Sequence, residues 1–229
     1  MKQLILFITL CAFAHGQKNK PLMDVRTLAL GIAKNVPERF LLTEEGYQKM
    51  SFSNRQASEI IKAYRSESLP LFVKAIEPDA KSEYSIAEQV KLPQNTKSVL
   101  LLCWTTPQGK LRYYPINDSI MGAGYNDWLM INTTSKAVGF RIGQYEKPVI
   151  LKPKDVKNYK VRAEKGKGVP VVGKAHFNGE TKTFYSTYWR IRKNERSIII
   201  FTEVGNKIRA IKIGDSLVKT KDDTPQAMR

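Results

Sequence analysis

The chain has 229 residues, of which 42% are hydrophobic and 10% aromatic, and its formal net charge is +17 at pH 7. This composition is typical of a globular protein with a hydrophobic core and excludes an intrinsically disordered chain. The length is sufficient for one large domain or two small ones.

The amino terminus has the pattern of a secretory signal peptide. Lys2 precedes a short apolar run over residues 4–14, and small residues at Ala14 and Gly16 offer a cleavage site. The run is too short to cross a bilayer as a stable helix. We therefore predict that residues 1–16 are removed and that the protein is exported, either to the periplasm or to the extracellular space.

Residues 17–37 are predicted to form a lead-in segment before the first domain. Within it, apolar residues recur at helical spacing from Leu22 to Ile32, whereas Gly31 disfavours a helix. Residues 22–34 are therefore either a helix or an extended strand.

The remaining sequence predicts an all-β fold. Short runs of β-branched and aromatic residues are separated by Gly, Pro and Asn, which is the pattern of strands and turns. Asn178-Gly179 is typical of a tight hairpin turn. The predicted strands include residues 39–43, 97–105, 128–132, 137–142, 183–192 and 197–203.

One hairpin pattern occurs twice. Residues 98–102 pass through a turn at Pro107 to Gly109 into residues 110–120, and residues 197–201 pass through a turn at Gly205-Asn206 into residues 207–217. Ser, Lys, Arg, Ile, Asp and Ser recur in the same order in both. Fainter matches upstream pair residues 40–43 with 129–132 and residues 71–75 with 171–175.

This recurrence predicts that the chain contains two antiparallel, sandwich-like domains of Ig-like type, related by tandem duplication. The first domain would span residues 38–119 and the second residues 126–217. Residues 218–229 are polar and would form a tail.

The two predicted domains differ in charge. The first carries 11 Lys and Arg against 10 Asp and Glu, whereas the second carries 19 against 8. Such an excess favours an anionic partner, which could be an anionic polysaccharide, a membrane surface or an acidic protein, and export disfavours nucleic acid. The alternative is that the cations only keep the surface solvated. The predicted binding residues are Lys152, Lys154, Lys157, Lys160, Arg162, Lys165, Lys167, Arg190 and Arg192.

The sequence favours a non-enzymatic binding or structural protein, with no cofactor, metal or catalytic residue. Signal-peptide cleavage leaves one cysteine, Cys103, in an apolar run, and one histidine, His176, beside a predicted turn. Asp118 and Asp215, which occupy equivalent positions in the two hairpins, are expected in Asx-type turns. Two alternatives stay open: a carbohydrate-binding or carbohydrate-active protein with a sugar face at Trp189, and a structural subunit of a surface assembly. For Trp189 itself, strand alternation favours burial.

Residues 188–192, followed by 196–201, resemble a segment of uncharacterised exported bacterial proteins with tandem β-sandwich domains. Residues 132–136, ahead of Val138, are similar to a turn in the second domain of those proteins. The resemblance implies a sandwich fold for both halves, and it implies no activity and no site residue.

Overall fold

The computed structural model describes residues 21–32, 35–75, 82–106, 108–118, 127–162, 167–177, 179–191, 195–205 and 207–216. The chain divides into two compact units, Met1–Ser119 and Ile120–Arg229. The described residues form sixteen β-strands and no helix, so none of them forms a helix that could cross a membrane. The predicted all-β, sandwich-like fold is confirmed. The predicted signal peptide and tail lie outside the described residues.

Unit 1 contains eight strands, which form one sheet. They are β1 Leu22–Gly31, β2 Phe40–Thr43, β3 Gly46–Lys49, β4 Ile61–Tyr64, β5 Ser68–Lys74, β6 Tyr84–Lys91, β7 Ser98–Thr105 and β8 Leu111–Asn117. Their order in the sheet is β6-β5-β2-β4-β1-β7-β8, and β3 pairs with β2.

Unit 2 also contains eight strands, which form two four-stranded sheets. They are β9 Asp127–Asn132, β10 Val138–Ile142, β11 Val149–Leu151, β12 Val156–Lys160, β13 Gly168–Phe177, β14 Glu180–Arg190, β15 Glu195–Val204 and β16 Lys207–Ser216. The sheet orders are β11-β10-β13-β14 and β12-β9-β15-β16.

The two units share the same strand pairing. With one exception, each strand pair in unit 1 recurs in unit 2 between the strands that stand eight places later in the chain. The recurring pairs include a parallel one, β1 with β7 in unit 1 and β9 with β15 in unit 2. Unit 1 has one further bridge, from Thr43 to Ala63, which joins β2 to β4 and links its strands into a single sheet. The shared pairing supports the predicted duplication. The sequence predicted antiparallel pairing alone, whereas each unit also contains one parallel pair.

The penultimate strands β7 and β15 are buried on both faces. In β7, Val99, Leu101 and Cys103 belong to the core of unit 1, and the alternate residues Leu100 and Leu102 are fully buried too. A strand covered on both sides has a continuous apolar sequence rather than an alternating one. Burial also raises the pKa of the Cys103 thiol, which keeps it protonated and unreactive.

The predicted lead-in segment is wrong for residues 22–31, because they form β1 in the middle of the first sheet. This strand pairs with β4 on one side and β7 on the other, so unit 1 begins before residue 38. The helical spacing arises because β1 is buried on both faces, with Val25 in the core and Leu28 opposite Leu102 on the other face. The strand alternative is confirmed for residues 22–31.

Asp118 and Asp215, the recurring carboxylates, are buried and each binds an arginine. Asp118 Oδ2 lies 2.9 Å from Arg26 Nε and 2.7 Å from Arg26 Nη2. Asp215 Oδ2 lies 2.8 Å from Arg196 Nε and also accepts from Arg196 Nη2. The sequence predicted Asx-type turns at these positions, whereas the structure shows buried ion pairs. Both carboxylates therefore have a structural role in their own unit.

We predict that Asp215→Ala lowers the free energy of unfolding by about 3–5 kcal/mol, because it removes the counter-charge of an arginine that is only 1% exposed. The double variant Arg196→Met with Asp215→Leu should regain most of this loss, because it buries apolar groups instead. Urea denaturation followed by tryptophan fluorescence measures both changes.

The control is Glu180→Gln, which removes an exposed pair with Lys182 and should cost less than about 1 kcal/mol. A double variant as unstable as Asp215→Ala would contradict the prediction.

Candidate functional site

The loops of unit 2 lie at two ends of its sheets. Residues 133–137, 152–155, 178–179 and 205–206 connect strands at one end, which we call the far end. The strand ends that border the segments 143–148, 161–167 and 191–194 meet at the opposite end, which we call the basic end, although residues 163–166 and 192–194 lie outside the described residues. Backbone hydrogen bonds from Thr133 to Phe201 and from Ile191 to Lys167 hold neighbouring segments together at the two ends, respectively.

The predicted binding residues are divided between these two ends. The basic end carries exposed Lys160, Arg162, Lys167 and Arg190, whereas Lys152 and Lys154 are exposed at the far end. Lys157 lies within β12. Lys165 and Arg192 lie outside the described residues. The structure therefore brings four of the described residues to one end and does not support a single surface made of all of them.

The three lysines outside the basic end belong to a turn and a sheet edge. The Asp155 carboxylate accepts the Lys152 N–H at 2.9 Å, and Lys154 has a left-handed backbone with φ of 68°. Lys157 Nζ donates to the Ile150 carbonyl at 2.6 Å and so joins β12 to β11, which belongs to the other sheet. Of these contacts, only that of Lys157 is made by the ammonium group, which gives Lys157 a structural role at the sheet edge.

Asn132 holds the far end together. Its side chain is fully buried, and its amide nitrogen donates to the carbonyls of Lys136, Leu151 and Lys152 at 2.8–3.1 Å. Its Oδ1 accepts from the Thr134 N–H and hydroxyl, at 3.0 and 2.8 Å. One side chain thus satisfies backbone groups of two loops that a buried environment would otherwise leave unpaired.

Glu203 supplies a second anchor at the far end. Its carboxylate binds Lys136 Nζ and accepts from the hydroxyl and the N–H of Ser135, at 2.7 and 3.1 Å. These bonds, that from Lys136 above all, lower the pKa of Glu203 from 4.5 to about 2. Lys136 also lies 5.4 Å from the centre of the Phe177 ring. Lys136 is therefore engaged within the unit.

The basic end has a different construction. Arg190 stands opposite Gly168 in the β13–β14 register, which places it beside Lys167, and the Ile191 N–H donates to the Lys167 carbonyl at 3.3 Å. Val161 and Ile191 insert into the core and anchor two of the loops, while the charged residues next to them stay at the surface.

A surface cavity of about 580 Å³ opens at the basic end, and its lining includes Tyr159, Lys160 and Arg162. Glu146 is also in the lining and places a carboxylate beside these cations. Burial raises the pKa of Tyr159, Glu146 raises it further, and Arg162 lowers it. The phenol is therefore a neutral hydrogen-bonding group between charges of both signs.

The charge of this end differs from that of the equivalent loops in unit 1. By sequence, the segments that join these strands, residues 143–148, 161–167 and 191–194, carry six Lys and Arg against two Asp and Glu, a net charge of +4, and half of these cations lie outside the described residues. Their counterparts, residues 44–45, 65–67 and 92–97, carry two against three, a net charge of −1. Lys147, exposed in the loop of residues 143–148, belongs to the excess of cations visible in the sequence but was not among the predicted binding residues. Its position could be recognised only from the strand pairing.

Trp189, the residue on which the predicted sugar-binding face depends, is in the core. Trp189 is 8% exposed and donates to the Tyr185 hydroxyl at 3.0 Å. Lys212 lies 5.6 Å from the centre of the Trp128 ring and 5.8 Å from that of Trp189. Trp189 therefore has a packing role, as strand alternation indicated.

The remaining reactive side chains are dispersed in the described part of the chain. His176 is exposed on β13, with Nδ1 3.4 Å from the Thr181 hydroxyl. Among the described residues, no three His, Cys, Asp or Glu side chains come together as a metal site would require.

Neither a protein-family model nor a curated protein matches the chain. The resemblance to exported tandem β-sandwich proteins stays a prediction.

We predict that Glu203→Gln lowers the free energy of unfolding at pH 7 by about 1–3 kcal/mol, because it weakens hydrogen bonds to a charged group. Since folding lowers the pKa of Glu203 to about 2, its stabilisation is complete above pH 4.5 and is lost as the pH falls toward 2. The difference in free energy of unfolding between the unchanged protein and Glu203→Gln should therefore shrink as the pH falls from 4.5 toward 2. Urea denaturation at each pH measures this difference.

Glu38→Gln is the matched control, because it removes a carboxylate from an exposed pair with Lys49 and should cost less than about 1 kcal/mol. A Glu203→Gln difference that stays constant from pH 7 to pH 2 would contradict the assignment.

Proposed function

We propose that this is an exported, non-enzymatic binding protein whose second unit docks on an anionic polysaccharide through its basic end. The observation that carries the proposal is the charge difference between equivalent loops of the two units, +4 against −1. Loops tolerate substitution without disturbing the strands that they connect, so a consistent gain of positive charge there points to a partner.

The arrangement of the cations suits a polymer. Lys160 and Arg162 line the surface cavity, and Lys167 and Arg190 lie together where β13 begins and β14 ends. A chain of acidic sugars carries charges at intervals and could meet these groups in succession, with its hydroxyls beside Tyr159. Because the cations are exposed, their attraction is screened by salt, so binding should weaken as ionic strength rises.

The recurring carboxylates give no support to a carbohydrate-active enzyme. Hydrolysis of a glycosidic bond needs two carboxyl groups that face one substrate. Asp118 and Asp215 instead lie in different units and bind Arg26 and Arg196. These two carboxylates therefore are not a hydrolytic pair.

The test compares salt-dependent retention of the full chain on heparin-agarose, with neutral dextran as the reference matrix. The basic-end variant replaces Lys160, Arg162, Lys167 and Arg190 by Gln. If each cation contributes about 1 kcal/mol, as Lys and Arg do near an anionic surface, affinity at low salt should fall by about two to three orders of magnitude.

A far-end variant provides the matched control. It replaces the exposed residues Lys152, Lys182, Lys207 and Arg209 by Gln, which removes the same formal charge from the opposite part of the unit. Equal elution of the two variants would mean that only net charge matters and would overturn the proposal. Retention on phosphatidylglycerol vesicles but not on heparin would assign the basic end to a membrane surface instead.

A further inference from the structure

The outer face of the β11-β10-β13-β14 sheet has a charge pattern that the fold does not use. None of the residues that point outward from these four described strands is acidic, whereas Arg141 and Lys174 are both exposed cations. Within the described residues, neither has a carboxylate partner.

The two cations stand close together on this face. Arg141 is opposite Val172 in the β10–β13 register and Lys174 is opposite Gly139, so Arg141 and Lys174 are diagonal neighbours. Diagonal side chains on paired strands are about 7–8 Å apart, and like charges in such proximity repel. An anion between them would remove that repulsion.

Next to the cations lies an apolar groove of about 360 Å³. Its apolar lining consists of Ala137, Gly139, Pro148, Ile150, Val172 and Ala175. Gly139 leaves the space open, since a β-carbon there would come within 3.3 Å of Ile150 Cδ1. Ile150 is 53% exposed, so its side chain is accessible to a ligand in the groove.

The floor of the groove offers few hydrogen bonds to a ligand. β10 is paired on both sides, with β11 and β13, so its backbone groups are already used in the sheet. The polar side chains His176 and Thr181 lie in the lining and contact each other at 3.4 Å. A floor of this kind fits an alkyl chain better than a sugar or a peptide, both of which need hydrogen-bond partners.

We propose that this groove binds a single-chain carboxylate amphiphile, with the alkyl chain over Gly139 and against Ile150 and Val172, and the carboxylate between Arg141 and Lys174. The groove lies on the outer face of the sheet, shares Pro148 with the loops of the basic end and none of the four cations replaced in the basic-end variant, and does not depend on polysaccharide binding.

Decanoate, titrated below its micelle concentration and followed by isothermal titration calorimetry on the full chain, tests the proposal. We expect saturable 1:1 binding. Gly139→Val, which fills the groove with a residue that strands favour, should weaken it at least tenfold. Arg141→Gln with Lys174→Gln should also weaken it at least tenfold, and circular dichroism checks that each variant is folded.

Two further ligands and one further variant separate the contributions of the alkyl chain, the carboxylate and the basic end. Decyltrimethylammonium carries the same chain with the opposite charge and should not bind, and acetate carries the charge without the chain and should not compete. The basic-end variant of the previous subsection should bind decanoate as the unchanged protein does, so the two proposals fail independently. The proposal would be overturned by absence of saturable decanoate binding, by equal binding of the cationic probe, or by unchanged affinity in folded Gly139→Val. Binding to phosphatidylglycerol vesicles without binding to decanoate would also overturn it.

Discussion

In each unit, the sheet depends on the first strand lying between the fourth and the seventh. β1 pairs antiparallel with β4 and parallel with β7, and β9 does the same with β12 and β15. The chain must traverse almost the whole unit before the parallel partner arrives, so this contact closes the unit and has the high sequence separation that slows folding. In unit 1, Arg26 on the first strand also binds Asp118 after the last strand, which joins the two chain ends of the unit electrostatically.

Local patterns identified the strands but not this pairing. The hairpins of residues 98–117 and 197–216 were predictable, because an apolar run, a turn and an alternating run lie next to each other in sequence. Parallel partners have no such local signature. Because β1 is buried on both faces, its apolar residues have a spacing that is also typical of a helix. The match of residues 40–43 to 129–132 was wrong for a similar reason: it equated β2 with β9, whose counterpart by pairing is β1. The lysine run was visible in sequence, but only the strand order separates Lys152 from Lys160.

The ion pairs show which feature of the hairpin is constrained. The carboxylate occupies the same place in both units, yet its arginine comes from β1 for Asp118 and from β15 for Asp215. A buried carboxylate requires a cation, and either neighbouring strand can supply it. The recurrence of the aspartate is therefore explained by its burial and gives no indication of catalysis.

The two ends of unit 2 are held in different ways, and this difference bears on where function can lie. At the far end, Asn132 and Glu203 satisfy the backbone and side chains of the loops, so substitutions there disturb a hydrogen-bond network. At the basic end, Val161 and Ile191 fix the loops through the core and leave Arg162 and Arg190 at the surface. A loop anchored by apolar residues can change the charge of its exposed positions at little cost in stability. The basic end is therefore the part of the unit where a change of partner requires the least change of fold.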